Sequence, residues 1–398
     1  MFGRFLRTAD NLGCPGYSGL AQHGRRGASA HHAGCEVNMI APQRLVISLS
    51  SSHGQFTELV VHSSRLLPLK SWIFSATPAD AALRISLAFS LCRAAQRTAC
   101  ASATEAAGAG TMEEASESDR AWAVTSEFLR EHACNLFLAW PKLMGDREEP
   151  AIVRALCANE AQPAATVLHL LRVLLTSEVF GIDPEDWLRL DASGLQAWCV
   201  KAATPTARRL AHWMGATVQA PATGFLPPVA QWNRDVAFTI DAACNANPMF
   251  SERPDWQGEP LETGALVRVH EHPLIRAWLD ISGDDAGARM LARLVELAQA
   301  ASSPLPALRK IIQAWPLEPG CGLAAVETSR GVLLHWVRLA EGRVADYRII
   351  APTEWNFHPR GVLRAILAAR ENEDESQARA WALALDPCVE CSVELTDA

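Results

Sequence analysis

The order of apolar and polar positions divides the chain into a β-like beginning, a long helical middle and a β-like stretch near the end. Residues 1–38 keep no apolar period and are rich in Gly, Ser, Ala, His and Arg, which predicts a disordered leader. Met39 follows as an alternative start, and residues 39–398 are expected to form a single domain. IAPQRLVISLS and FTELVVHSS, dense in Val, Ile and Thr, flank SSHGQ and predict a hairpin. From Pro78 the period becomes helical through PADAALRISLAFSLCRAAQRTACASATEAAG, with Pro78 suited to the first turn and Gly108 to the stop. AGTMEEASESD reads as an acidic connector, and RAWAVTSEFLREHACNLFLAWPKLMG as an amphipathic helix ended by Pro141. Helical patterns return near 165–178, 194–213 and 285–301. Over 322–350, apolar alternation on both sides of AEGR predicts a β-hairpin, and Glu371 to Glu375 a solvated loop. The fold class is therefore α+β, mainly helical, with small antiparallel sheet elements and no internal repeat.

Composition narrows the setting. A chain of 398 residues that is 49% hydrophobic can bury a sizeable core. A net charge of −8 argues against non-specific binding to nucleic acid or to an anionic membrane surface. No apolar run reaches the roughly 20 residues that span a bilayer, so no membrane insertion is expected. The Arg25-Arg26 pair lacks an apolar stretch after it, and no export signal is read there. A cytoplasmic protein is expected, in which most of the 11 cysteines are small buried hydrophobes.

Cys388 and Cys391, in DPCVEC, are the exception. Alone, a CxxC pair fits a zinc half-site, a dithiol redox centre or unliganded tail thiols. No second CxxC completes a four-cysteine zinc site, and no thioredoxin-like βαβ pattern surrounds the pair. DPCVEC, however, follows VETSRGVLLHW and GRVADYRIIAPTEWNFHPRG. That ordered set resembles the C-terminal region of nickel-iron hydrogenase large subunits, with their Glu-x-x-Arg-Gly turn, PT-x-W-N-x-x-P segment and terminal DPCxxC. Upstream, PADAALRISLAFSLCRAAQ is similar to the family's N-terminal motif, with Pro78, Asp80, Ala81 and Cys92 in matching places.

The departures matter as much. Leu87, Phe89 and Gln96 stand where the family has an arginine, a nickel-binding cysteine and a histidine. The proton-relaying glutamate has no counterpart in Arg65 to Pro68, and Glu394 occupies the place of the histidine after the last cysteine. By the resemblance, Cys92 and Cys391 match the iron-touching bridging thiolates and Cys388 a nickel-only ligand. Arg330 matches the arginine facing the iron's cyanides, with Glu327 orienting its turn. Without the motif, Arg330 and Glu327 would read as a surface ion pair, and PTEWNFHP, His335, His270 and His272 as structural or surface residues. The combination resembles the hydrogenase expression/formation proteins of the HupK/HoxV type. That resemblance implies a non-catalytic assembly scaffold in nickel-iron hydrogenase maturation. Its cargo would be iron with cyanide and carbon monoxide ligands, bound transiently, and nickel is not expected. The implied partners are the small hydrogenase maturation chaperones, the cofactor-assembling iron-sulfur maturation protein and the hydrogenase large-subunit precursor. The alternatives are a divergent large subunit with altered metal content, or a metal-free decoy that docks the chaperones.

Overall fold

The computed structural model describes residues 44–397, apart from 53–54, 64–68, 90, 111–114, 160, 216–222, 303–309 and 369–374. The leader, the Met39 start, Arg65 to Pro68 and most of the acidic stretch at 371–375 thus lie outside the described residues. Seven strands are present among those described: β1 (Arg44–Ser52), β2 (Gln55–Ser63), β3 (Ile312–Pro316), β4 (Cys321–Thr328), β5 (Gly331–Ala340), β6 (Arg343–Ile350) and β7 (Glu390–Asp397). The predicted N-terminal hairpin is the antiparallel β1–β2 pair. β1 also pairs with β7 in parallel, so the last strand closes a small sheet of order β2-β1-β7. The predicted hairpin at AEGR is β5–β6, turned at Glu341 and Gly342, both with positive φ. It belongs to a larger antiparallel sheet of order β3-β4-β5-β6.

Helices cover both faces of that sheet. Ala324 and Val326 of β4 and Leu333 and Val337 of β5 pack on the helices Pro78–Ala88 and Arg93–Ala106. Leu323, Ala325, Val332, Leu334 and Trp336, one residue out of phase, pack on the helix Arg234–Ala246 and on Trp232 and Phe250. Ala95, Ala99, Ala103 and Ala107 recur every fourth residue and give the Arg93–Ala106 helix a face without bulk. Its backbone lies so near β4 that a Cβ on Gly322 would come within 2.2 Å of the Ala103 carbonyl oxygen. A separate, mainly helical core gathers around the buried helix Ala286–Ser302 and includes Leu45, Ile47 and Val393 of the small sheet.

Three expected helices differ in detail. The stretch from Pro78 is two helices, Pro78–Ala88 and Arg93–Ala106, broken where Phe89 and Cys92 take non-helical backbone angles. Pro141 does not end the Glu117–Cys134 helix: a π-turn over Asn135–Ala139 leads into the turn Trp140–Leu143. The wider π-turn, in which the Trp140 N–H reaches back five residues to the Asn135 carbonyl, is where the helix accommodates Pro141. The 194–213 pattern is also two helices, Ala192–Lys201 and Pro205–Trp213, the second capped by Thr204. No helix among the described residues is long and apolar enough to cross a membrane.

Candidate functional site

Cys92 is the N-cap residue of the Arg93–Ala106 helix, yet its side chain makes no capping bond. Glu127, from the Glu117–Cys134 helix, does that work instead, accepting the Ala94 N–H at 2.7 Å and the Ala95 N–H at 3.1 Å. The thiol is left to face a small cavity, which Glu127, Glu131, Gln96, Arg330, Pro352 and Cys388 also line. The cavity measures about 20 Å³, room for about one water.

Arg330 reaches this cavity from the tip of the β4–β5 hairpin. The glycine after it is required there: Gly331 has φ +126°, and a Cβ would meet Thr263 Oγ1 at 2.4 Å. Arg330 is buried, donates to Glu131 at 2.9 Å and lies 3.6 Å from Asp386. Burial alone would weaken its basicity, but the Asp386 and Glu131 carboxylates outweigh this and hold it above the ordinary arginine value. Glu327 does not line the cavity. Strand alternation turns it to the other face of β4, where it accepts the Val229 N–H and the Arg268 Nη1–H, each at 2.8 Å. Arg268 in turn donates to the carbonyls of Thr328 at 2.9 Å and Ser329 at 3.1 Å, so Glu327 bears on the Arg330 turn through Arg268. Neither Arg330 nor Glu327 is a surface residue.

The C-terminal cysteines separate. Cys388 lies opposite Cys92, its thiol within hydrogen-bonding reach. Thr353 holds it, the hydroxyl donating to its sulfur and accepting its backbone N–H, both at 3.5 Å. Cys391 is instead the second residue of β7, paired with Leu45, and packs on the helical core with Val393. Cys391 is absent from the cavity lining. The side chain facing Cys92 is thus that of Cys388, because the ladder from Glu390 onward fixes which way Cys391 points. Burial pushes the Cys391 thiol up to about 12. The Cys92 thiol is raised chiefly by its hydrogen bond with Cys388, then by burial, with Arg330 opposing. Phe89, at the position of the family's nickel-binding cysteine, is buried among Ala81, Ile85 and Ala99 and does not line the cavity.

Several contributors carried only weak sequence signals. Glu127 and Glu131 stand four apart in an amphipathic helix, a spacing that puts both on one face; among so many surface carboxylates nothing marked them as inward. Burial raises Glu127 to about 7 against the pull of the Ala94 and Ala95 N–H groups. PTEWNFHP is architectural in part, since Trp355 is fully buried and Asn356 Oδ1 accepts the Thr263 N–H at 2.9 Å. The same segment also supplies Pro352 and Thr353 to the site. His335 is fully buried, whereas His270 and His272 lie nearer the surface. Among the described residues, no group of three or more His, Cys, Asp or Glu side chains is arranged to hold a metal ion. The site offers two thiols beneath one guanidinium.

A mainly helical chain with a small sheet, whose first helices meet its last residues at paired cysteines, defines a protein of the nickel-iron hydrogenase large-subunit-like class. A family profile described as nickel-dependent hydrogenase matches residues 281–394. A NiFeSe hydrogenase variant from Desulfovibrio vulgaris Hildenborough shares the fold with a TM-score of 0.50 at 14% identity, over 87% of this chain and 98% of that one. Hydrogenase expression/formation protein HoxV of Cupriavidus necator is 30% identical over 302 residues, 67% of this chain and 75% of the relative. HupK of Azotobacter vinelandii is 30% identical over 380 residues, 89% and 99% respectively. The chain belongs to this family of hydrogenase expression/formation proteins.

Proposed function

We propose that this accessory protein of hydrogenase maturation carries an iron-cyanide-carbonyl unit between Cys92 and Cys388 and releases it to a hydrogenase large-subunit precursor. One observation carries the reading: Cys92, Cys388 and Arg330, from three distant parts of the chain, line one small cavity. Two protein sulfurs are too few for a structural zinc, which takes four ligands. They suit an iron that arrives with its own diatomic ligands, since soft thiolates favour it and a guanidinium can donate charge-assisted hydrogen bonds to cyanide nitrogen. The cavity of about 20 Å³ is smaller than such a unit, so loading requires the tail to lift. β7 is an edge strand whose single strand partner is β1, so lifting it breaks one ladder and draws Val393 from the helical core. The protein is non-catalytic in this reading and takes no nickel, because Phe89 offers no donor at the position of the nickel-only cysteine. Chaperones that bind large-subunit precursors, and the iron-sulfur protein that assembles the unit, are its partners.

Infrared spectroscopy of anaerobically purified protein tests this, because bound cyanide and carbon monoxide absorb where protein does not. Cys92→Ser and Cys388→Ser should each abolish those bands, serine being a hard and normally protonated ligand. Cys391→Ser should leave them. Loss on Cys391→Ser with survival on Cys388→Ser would restore the pairing of Cys92 with Cys391 implied by the family motif. Nickel binding with hydrogen uptake by the unaltered protein would overturn the carrier reading.

A further inference from the structure

Behind Cys92 runs a line of buried polar side chains in a layer otherwise built mainly from apolar residues such as Ala95, Ala99, Leu333 and Val337. Gln96, one helical turn on, approaches the Cys92 sulfur with Nε2 at 3.7 Å. Its Oε1 lies 2.8 Å from His335 Nε2, and His335 Nδ1 lies 2.6 Å from the Tyr347 hydroxyl. Gln96, His335 and Tyr347 are 1%, 0% and 3% exposed. Strand alternation aims them: His335 shares the face of β5 that carries Leu333 and Val337 onto the Arg93–Ala106 helix. Burying three polar groups costs free energy unless each finds a partner, and here each does.

The orientation of the Gln96 amide sets a direction. With its carbonyl against His335, Nε2 carries the proton, Nδ1 is bare and the Tyr347 O–H donates to it rather than to the neighbouring Cys100 sulfur, while the amide N–H is turned onto the Cys92 sulfur. Burial depresses the imidazole to about 3, so His335 stays neutral, with one donor and one acceptor nitrogen. We propose that Tyr347, His335 and Gln96 form a one-way hydrogen-bond chain ending as an amide N–H donated to the Cys92 sulfur, which sets the position and donor strength of that thiolate. These are positioning residues, and their effect on cargo rests on the carrier reading above. A hydrogen-bonded thiolate gives less electron density to iron, and iron then returns less to the antibonding orbital of carbon monoxide.

Two measurements on the full chain decide the matter. In metal-free protein, nitrogen-15 NMR should find His335 as the Nε2–H tautomer, its signal identified by its loss in His335→Gln; the Nδ1–H tautomer would overturn the chain. In iron-loaded protein, Gln96→Leu should move the carbon monoxide stretch to lower wavenumber at unchanged iron content. Tyr347→Phe, which removes only a hydroxyl and keeps the test available if Gln96→Leu does not fold, should move it less in the same sense. Unchanged bands in both variants would overturn the proposal. If the wild type carries no diatomic bands, the carrier reading fails and the chain is judged on metal-free protein by peptide mass spectrometry. There Gln96→Leu should slow iodoacetamide alkylation of Cys92 several-fold relative to Cys391, since the thiolate loses its donor; equal rates would overturn the chain.

Discussion

At the scale of single residues, the site is held by charges that have left water. Arg330 balances Glu131 and Asp386, all three buried. Arg330→Met should cost up to roughly 3–5 kcal/mol in chemical denaturation, because two buried carboxylates lose their shared cation and keep only Arg130, 3.6 Å from Glu131, and Arg293, 3.7 Å from Asp386. Glu127 gives a test in pH. Its folded value of about 7 lies above the ordinary 4.5, so the native state binds the extra proton between those limits. Its contribution therefore falls as pH rises from about 4.5 to about 7. Glu127→Gln should flatten that part of the stability–pH curve, read by thermal melts at fixed ionic strength. Cys92, Cys388, Cys391 and Arg330 were legible in the sequence because motif order singled them out. Glu127, Glu131 and Thr353 were illegible because a carboxylate or hydroxyl looks the same facing water or facing a cavity.

At the scale of elements, the close approach of the Arg93–Ala106 helix to β4 decides where Cys92 stands. Every fourth alanine could be read as a smooth helical face, but the strand it meets could not. Gly322→Ala should cost at least about 1–3 kcal/mol, with a lowered Tm, since helix and strand backbone must both move to admit the methyl. The same crowding predicts a change at the site, which iron retention would report. β7 is the second deciding element. Removal of residues 387–398 should abolish iron-bound cyanide and carbon monoxide bands, since Cys388 and the strand anchoring it go together. Retained bands in that truncation would show that the tail takes no part in holding cargo.

At the scale of the molecule, a buried ionic network joins the two sides of the fold. Arg268 binds Glu296 of the central helix at 2.5 Å and Glu327 of β4 at 2.8 Å, and His132 bonds Glu296 at 2.8 Å. Burial would raise the Glu296 carboxyl, but Arg268 and His132 prevail and bring it down to about 2. A depressed carboxyl adds stability that is present above its ordinary value of 4.5 and lost as pH falls from there to about 2. Acid unfolding of the whole domain should therefore steepen in that window, and Arg268→Met should move its midpoint to higher pH, as followed by circular dichroism.

By itself the sequence determined the class of fold, the hairpins at β1–β2 and β5–β6, most helices and the motif that gathers both ends of the chain. Those features depend on local periodicity, turn chemistry and residue spacing, which a linear chain displays directly. Only the tertiary structure decided that Cys388 rather than Cys391 faces Cys92, that Glu327 turns away, and that His335 lies behind the site. Each of these hangs on which face of a strand meets which helix, and a shift of one residue in register reverses every such assignment.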